Sequence, residues 1–146
     1  MNLTLTRRGD YTVRAAIHLA RRWGDGLAKL REISADMELP RSYTPQVLGI
    51  LVRAGLAEAK AGRDGGYQLV RDPASVSLLE VVEAADGPLR TTECTLRGGS
   101  CRWDDACAVH PSWVAASEAF RGSLGSTSLA DVAGVEPIVE RRGAEG

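Results

Sequence analysis

The chain has 146 residues and a mass of 15.6 kDa, which suits one domain or a small domain with an appendage. With 44% hydrophobic and 25% charged residues it is not disordered by composition, and no window approaches the roughly 18 apolar residues of a membrane span. The net charge of −1 hides a division. Residues 1–72 carry twelve basic and eight acidic side chains, net +4, whereas residues 73–146 carry six and eleven, net −5. That division suggests two functions, one of which involves contact between the basic half and phosphate groups.

Three helices are predicted in the basic half. Apolar residues recur at helical spacing over residues 10–23, and a short second helix over residues 30–37 ends before Pro40. Ser42 is the predicted N-cap of a third helix, which has Pro45 in its first turn and ends near Ala54. Two short helices joined by a tight turn predict a helix-turn-helix.

A hairpin is predicted next, with strands at residues 56–60 and 67–70 and a glycine-rich turn between them. Three helices followed by a hairpin predict a winged helix, with Lys60 and Arg63 near the tip of the wing. The alternative is an ordinary three-helix domain that happens to carry a hairpin.

The acidic half is predicted to be helical around one irregular loop. Ser77 and Glu80 form a capping box for a helix that ends before Gly87, and residues 89–108 form the loop. A long helix over about residues 111–124 carries Val114, Ala115, Ala119 and Phe120 mostly along one side, and a last short helix begins at Ser128. We expect the long helix to pack against its copy in a homodimer.

The predicted fold class is therefore mainly α with a small β-hairpin wing. A winged helix-turn-helix DNA-binding domain spans residues 1–72, the cysteine loop and dimerisation helices span 73–135, and a frayed tail spans 136–146. The N-terminus lacks the apolar stretch of a signal peptide, which predicts a cytoplasmic protein.

All three cysteines lie in the loop. Cys94, Cys101 and Cys107 are followed by His110, so four soft or borderline ligands occupy seventeen residues. Such a set suits an iron–sulfur cluster or zinc, and the lack of a Cys-x-x-Cys knuckle favours the cluster. The alternative is three ordinary cytosolic thiols and a surface histidine. His18, in the middle of the first helix, is expected to be structural.

The chain resembles the Rrf2 family of bacterial transcription regulators from residue 3 to about 132. The resemblance rests on residues 10–15 (DYTVRA), Ser42-Tyr43, Ala54-Gly55-Leu56, residues 65–69 (GGYQL), residues 84–88 (AADGP) and the three-cysteine loop. It implies a homodimer whose winged helices bind a palindromic operator in double-stranded DNA, and a cluster near the dimer interface that tunes this binding.

By the same resemblance, Cys94, Cys101 and Cys107 match the family's cluster cysteines. The fourth ligand has two candidates. His110 resembles the IscR branch, in which a histidine completes a 2Fe–2S cluster. Asp10 resembles the NsrR branch, in which an aspartate from the partner subunit's first helix completes a 4Fe–4S cluster. Asp10 is equally explained as a negative charge at a helix N-terminus, and we favour His110.

The expected DNA contacts lie at the start of the third helix and on the wing. The N-terminal part of a recognition helix enters the major groove, and wing cations neutralise phosphates or enter the minor groove. These residues are Arg41, Ser42, Tyr43, Thr44 and Gln46 on the helix, with Lys60 and Arg63 on the wing. Pro45 and Ala61 depart from the IscR pattern, so the operator cannot be copied from that branch.

Three functions are compatible with these features. The leading hypothesis is a repressor whose operator affinity follows a cluster that senses iron, redox state or nitric oxide. A second is a cluster-free regulator in which the cysteines act as a thiol switch. A small enzyme or electron carrier is least favoured, because no nucleophile–base pair stands out, and we predict no catalytic activity.

Overall fold

The computed structural model describes residues 3–89 and 106–134. Its helices are α1 (Arg7–Arg21), α2 (Leu30–Asp36), α3 (Thr44–Arg53), α4 (Leu78–Asp86), α5 (His110–Ser126) and α6 (Leu129–Ala133). Strands β1 (Ala57–Lys60) and β2 (Gly66–Leu69) follow α3, and a 3₁₀ turn at Pro73–Ser75 precedes α4. The predicted order of elements is confirmed. None of the described helices is both long and apolar enough to cross a membrane.

Helix α1 lies at the centre of the fold and packs against α3, α4 and α6. Its small residues Ala15 and Ala16 are fully buried, which lets the neighbouring helices approach its backbone closely. One buried hydrophobic cluster draws on residues from both sides of position 72, including Leu48, Leu51, Val81 and Leu129. The last helix therefore contributes to the same core as the helix-turn-helix.

The wing is an antiparallel hairpin of four paired residues per strand, from Ala57 opposite Leu69 to Lys60 opposite Gly66. Its turn needs glycine at two positions. A Cβ on residue 65 would lie 2.0 Å from the Lys60 carbonyl oxygen, and one on residue 66 would lie 2.5 Å from the Ala28 carbonyl oxygen. The paired glycines thus allow the wing to close on itself and against the segment before α2.

Two predicted helix starts differ from the structure. Helix α1 begins at Arg7 instead of residue 10, because the Thr6 hydroxyl accepts from the Gly9 backbone N–H at 3.0 Å and caps the helix earlier. Ser42 does not cap α3, whose N-cap is Tyr43 without a side-chain hydrogen bond. The backbone N–H groups of Tyr43 and Thr44 both donate to the Pro40 carbonyl, so a turn occupies the place of the expected first helical turn.

Candidate functional site

The corner between α2 and α3 is fixed by two buried hydroxyl groups. Thr44 Oγ1 donates to the Pro40 carbonyl at 2.9 Å, and Ser34 Oγ lies 2.8 Å from Thr44 Oγ1. Thr44 is fully buried. The structure therefore assigns Thr44 to the packing between the two helices and separates it from the other predicted DNA contacts.

The remaining helix residues expected to contact DNA lie at the surface. Arg41, Ser42 and Gln46 are exposed, and Tyr43 is half-buried. The Tyr43 ring meets Tyr11 of α1 edge to face, with centroids 5.8 Å apart and planes at 65°. This pair fixes the start of α3 against α1 and leaves the three polar residues facing solvent.

Both predicted wing cations, Lys60 and Arg63, are exposed. Lys29, the N-cap residue of α2, donates from its Nζ to the Arg63 carbonyl oxygen. The role of Lys29 could not be predicted from the sequence, since a lysine before a short helix carries no signal of a contact 34 positions away along the chain.

The structure gives Asp10 a partner on its own helix. Arg14 Nε lies 3.0 Å from Asp10 Oδ1, and Arg14 Nη2 lies 2.9 Å from Oδ2, so both carboxylate oxygens are bound. Arg14 also lies over the Tyr11 ring, 5.8 Å from its centroid. To ligate a metal, Asp10 would have to give up this two-point contact.

Cys107 and His110 lie together where α5 begins. The His110 backbone N–H donates to the Cys107 carbonyl at 3.3 Å, which places the two residues within one turn, and both side chains are half-buried. A thiolate and an imidazole are a fitting pair of donors for an iron–sulfur cluster or zinc. Cys94 and Cys101 lie outside the described residues, and within the described ranges no three His, Cys, Asp or Glu side chains converge on a possible metal site.

His18 is buried, as expected for a structural residue. Its Nδ1 lies 3.5 Å from Asp36 Oδ2, while its Nε2 is buried without a hydrogen-bond partner. Burial lowers the pKa of His18 below its ordinary value, and the nearby Asp36 carboxylate only partly opposes this effect. Burial therefore favours the neutral form of this imidazole.

Helix α5 packs on α4, yet none of its residues is buried. Val114 is half-buried, whereas Ala115, Ala119 and Phe120 are exposed, so the four residues predicted to share one side do not share one environment. Phe120 and the preceding Val109 are 39% and 44% exposed. The helix thus presents apolar surface that the described residues 3–89 and 106–134 do not cover.

Similarity to characterised proteins agrees with this architecture. Residues 5–134 match the Rrf2 family, described as iron-dependent transcriptional regulators. The chain is 31% identical to the HTH-type transcriptional regulator IscR of Klebsiella pneumoniae strain 342 over 143 residues, 98% of this chain and 87% of that protein. It is 29% identical to IscR of Escherichia coli O1:K1, over 98% of this chain and 88% of that protein.

Solved structures give the same fold. CymR, the global cysteine regulator of B. subtilis, superposes with a TM-score of 0.79 at 26% identity, covering 93% of this chain and all of that one. The IscR of T. potens superposes with a TM-score of 0.70 at 24% identity, covering 97% and 98%. These relatives are winged-helix regulators and not enzymes, in agreement with the predicted fold and the predicted lack of catalysis. The chain belongs to the Rrf2 family of transcriptional regulators.

Proposed function

We propose that this regulator is a cytoplasmic homodimeric repressor that binds a palindromic operator in double-stranded DNA. Its operator affinity would be set by an iron–sulfur cluster held by Cys94, Cys101, Cys107 and His110. The candidate signals are iron supply, redox state and nitric oxide. The observation that carries the proposal is the pairing of Cys107 and His110 in one turn at the start of α5.

The DNA-binding part of the proposal is supported by the distribution of exposed polar groups. Arg41, Ser42 and Gln46 at the start of α3 would contact bases or phosphates, and Gln46 has the amide needed to read an adenine edge. Lys60 and Arg63 on the wing would neutralise phosphates. Tyr43 would contribute through the part of its ring that Tyr11 leaves uncovered.

The cluster is supported by the chemistry of its donors. Three thiolates and one imidazole suit a 2Fe–2S cluster, which when bound would supply a redox-active centre that oxygen species and nitric oxide attack. His110 is favoured over Asp10 because it shares a turn with Cys107, whereas both oxygens of Asp10 are held by Arg14. With Asp10 as the fourth ligand, a 4Fe–4S cluster would be expected instead.

The coupling between sensing and DNA binding would run through α5. Cys107 and His110 lie at the start of this helix. A change in the group bound to their side chains would therefore affect the position of the helix that we propose joins the two subunits. A shift in how the two copies of α5 pack would change the distance between the two recognition helices, which has to match one DNA turn of about 34 Å.

Anaerobic purification tests the proposal. The wild-type protein should be coloured and contain iron and acid-labile sulfide, and its operator affinity should change when the colour is bleached. We expect His110→Ala to change or remove the absorption spectrum and Asp10→Ala to leave it intact. A colourless, iron-free protein that binds DNA equally well would contradict the cluster, and the opposite result for the two variants would move the fourth ligand to Asp10.

A thiol switch without a cluster is the second candidate. The chain superposes better on CymR, the cysteine regulator of B. subtilis, than on T. potens IscR, and Cys107 is partly accessible. In this case one cysteine would form a sulfenic acid that a neighbouring thiol resolves to a disulfide. Iron-free protein whose DNA affinity falls with peroxide and recovers with dithiothreitol would favour this candidate.

A further inference from the structure

The tip of the wing extends beyond its paired strands. The strand ladder ends at Lys60 opposite Gly66, and inside the turn the Gly65 backbone N–H donates to the Gly62 carbonyl at 3.1 Å. A two-stranded hairpin of this size is marginal by itself in water. The position of Arg63, in the middle of the turn, therefore depends on contacts from outside the wing.

The segment before α2 supplies such contacts. Ala28 and Tyr67 exchange both backbone hydrogen bonds, at 2.8 and 2.9 Å, which fastens this segment to β2. The next residue, Lys29, reaches the tip and donates from Nζ to the Arg63 carbonyl. A hydrogen bond from an ammonium group to a carbonyl is charge-assisted and stronger than a neutral one.

Lys29 is itself held in place by neighbours on two helices. Its backbone N–H donates to Glu32 Oε2 at 3.2 Å, and Nη1 of Arg22, the C-cap residue of α1, lies 3.7 Å from that same oxygen. Arg22 also donates from Nη2 to the Leu27 carbonyl at 3.3 Å. A continuous set of polar contacts thus runs from α1 through the start of α2 to the tip of the wing.

We infer that Lys29 is a positioning residue for DNA binding, which anchors the wing tip so that Arg63 is held ready for the phosphate backbone. The inference rests on the proposed DNA-binding function. Lys29 acts here through the backbone of residue 63 and does not itself contact DNA. Its loss should loosen the tip without removing a phosphate contact.

Two substitutions and one control test this role. Lys29→Met removes the donor and keeps the length of the side chain, and Lys29→Arg keeps a cationic donor. Arg31→Met is the matched control, because it removes an exposed cation from the same helix. Limited trypsin digestion with peptide mapping measures cleavage after Arg63, which follows the population of the opened tip.

We expect Lys29→Met to speed cleavage after Arg63 by roughly three- to tenfold, the range for loss of one net hydrogen bond. Lys29→Arg should restore the wild-type rate, and Arg31→Met should not change it. Equal rates for wild type and Lys29→Met would overturn the inference. Because this readout needs no DNA, it stands even if the proposed function fails.

DNA affinity, measured over a range of salt concentrations on a duplex selected from a randomised library, separates positioning from direct contact. For Lys29→Met we expect weaker binding with an unchanged dependence of log K on log salt. A slope reduced by about 0.9 would mean that Lys29 itself neutralises a phosphate, and would overturn the positioning role. A wild-type protein that binds no duplex would instead contradict the proposed function.

Discussion

At the scale of single residues, the buried His18 makes stability depend on pH. Burial lowers its pKa, Asp36 and Glu32 raise it to a lesser extent, and Arg22 and Arg21 lower it further. The unfolded chain takes up a proton near the ordinary value of 6.5, while the folded protein resists protonation until a lower pH. The free energy of unfolding should therefore be highest above pH 6.5 and fall as the pH drops from there towards the pKa of the folded state.

Urea unfolding between pH 5 and 8 measures this effect. The variant His18→Gln, which cannot take up a proton, should lose the part of the pH dependence that lies just below the ordinary histidine pKa. Identical pH profiles for wild type and His18→Gln would show that the buried imidazole has no part in the dependence.

At the scale of elements, the start of α1 depends on the end of α4. Asp86, the last residue of α4, accepts from the Thr6 backbone N–H at 3.2 Å and from the Thr6 hydroxyl, and that hydroxyl caps α1 through Gly9. A Cβ on residue 9 would lie 2.6 Å from Asp86 Oδ2. A side chain at position 9 would therefore have to displace the Asp86 carboxylate from Thr6.

Gly9→Ala should consequently destabilise the protein, although alanine in an open helix position usually stabilises by about 1 kcal/mol relative to glycine. The added methyl group would displace the Asp86 carboxylate, which accepts two hydrogen bonds from Thr6, and hydrogen bonds to a charged group contribute about 1.5–3 kcal/mol each, more than alanine gains. Gly49→Ala in α3 is the control, because there only the movable end of Arg53 lies at 3.0 Å. Thermal unfolding should show a lower midpoint for Gly9→Ala alone. A midpoint at or above that of wild type would contradict the steric argument.

The same contacts explain which elements the sequence could predict. The Ser77–Glu80 capping box and the start of the last helix at Ser128 depend on residues within one turn, and both predictions are confirmed. Periodicity placed the start of α1 too late because its first turn carries no apolar residue, although the Thr6 hydroxyl, itself held by Asp86 of α4, caps the helix at Gly9. The expected Ser42 cap of α3 is wrong because the Tyr43 and Thr44 backbone N–H groups donate to the Pro40 carbonyl instead.

The candidate site follows the same rule. Burial of Thr44 and the anchoring of the wing by Lys29 are tertiary contacts that no local pattern encodes. The exposure of Arg41, Ser42 and Gln46 could be predicted, because polar residues just before and within the first turn of a recognition helix are the ones placed to reach DNA. The pairing of Cys107 with His110 could also be predicted, since the two are three residues apart at a helix start.

At the scale of the whole molecule, the net charge of −1 is compatible with DNA binding because the positive charge is concentrated in the half of the chain that forms the winged helix. The basic residues 1–72 supply the winged helix, and the acidic remainder supplies the cysteines and α5. A near-neutral chain gains little non-specific affinity from its overall field. Specific binding would then depend on two copies acting together, which makes the pairing of subunits the property to test.

The exposed apolar residues of α5 indicate a pairing surface that shares only Phe120 with the stripe predicted from the sequence. Val109, Ala116 and Phe120 are seven and four residues apart, so they follow one side of the helix, and all three are exposed.

Phe120→Glu would place a charge in this surface and should weaken a homodimer by roughly tenfold or more, given the usual contribution of one buried phenylalanine. Gly122→Glu adds the same charge on the opposite side of α5, where a side chain meets open space, and should leave the dimer intact. Sedimentation equilibrium of both variants, alongside the fluorescence anisotropy of labelled operator, measures pairing and DNA affinity together. Wild-type protein that sediments as a monomer at micromolar concentration would refute the homodimer, and a Phe120→Glu dimer as tight as wild type would move the interface to another surface.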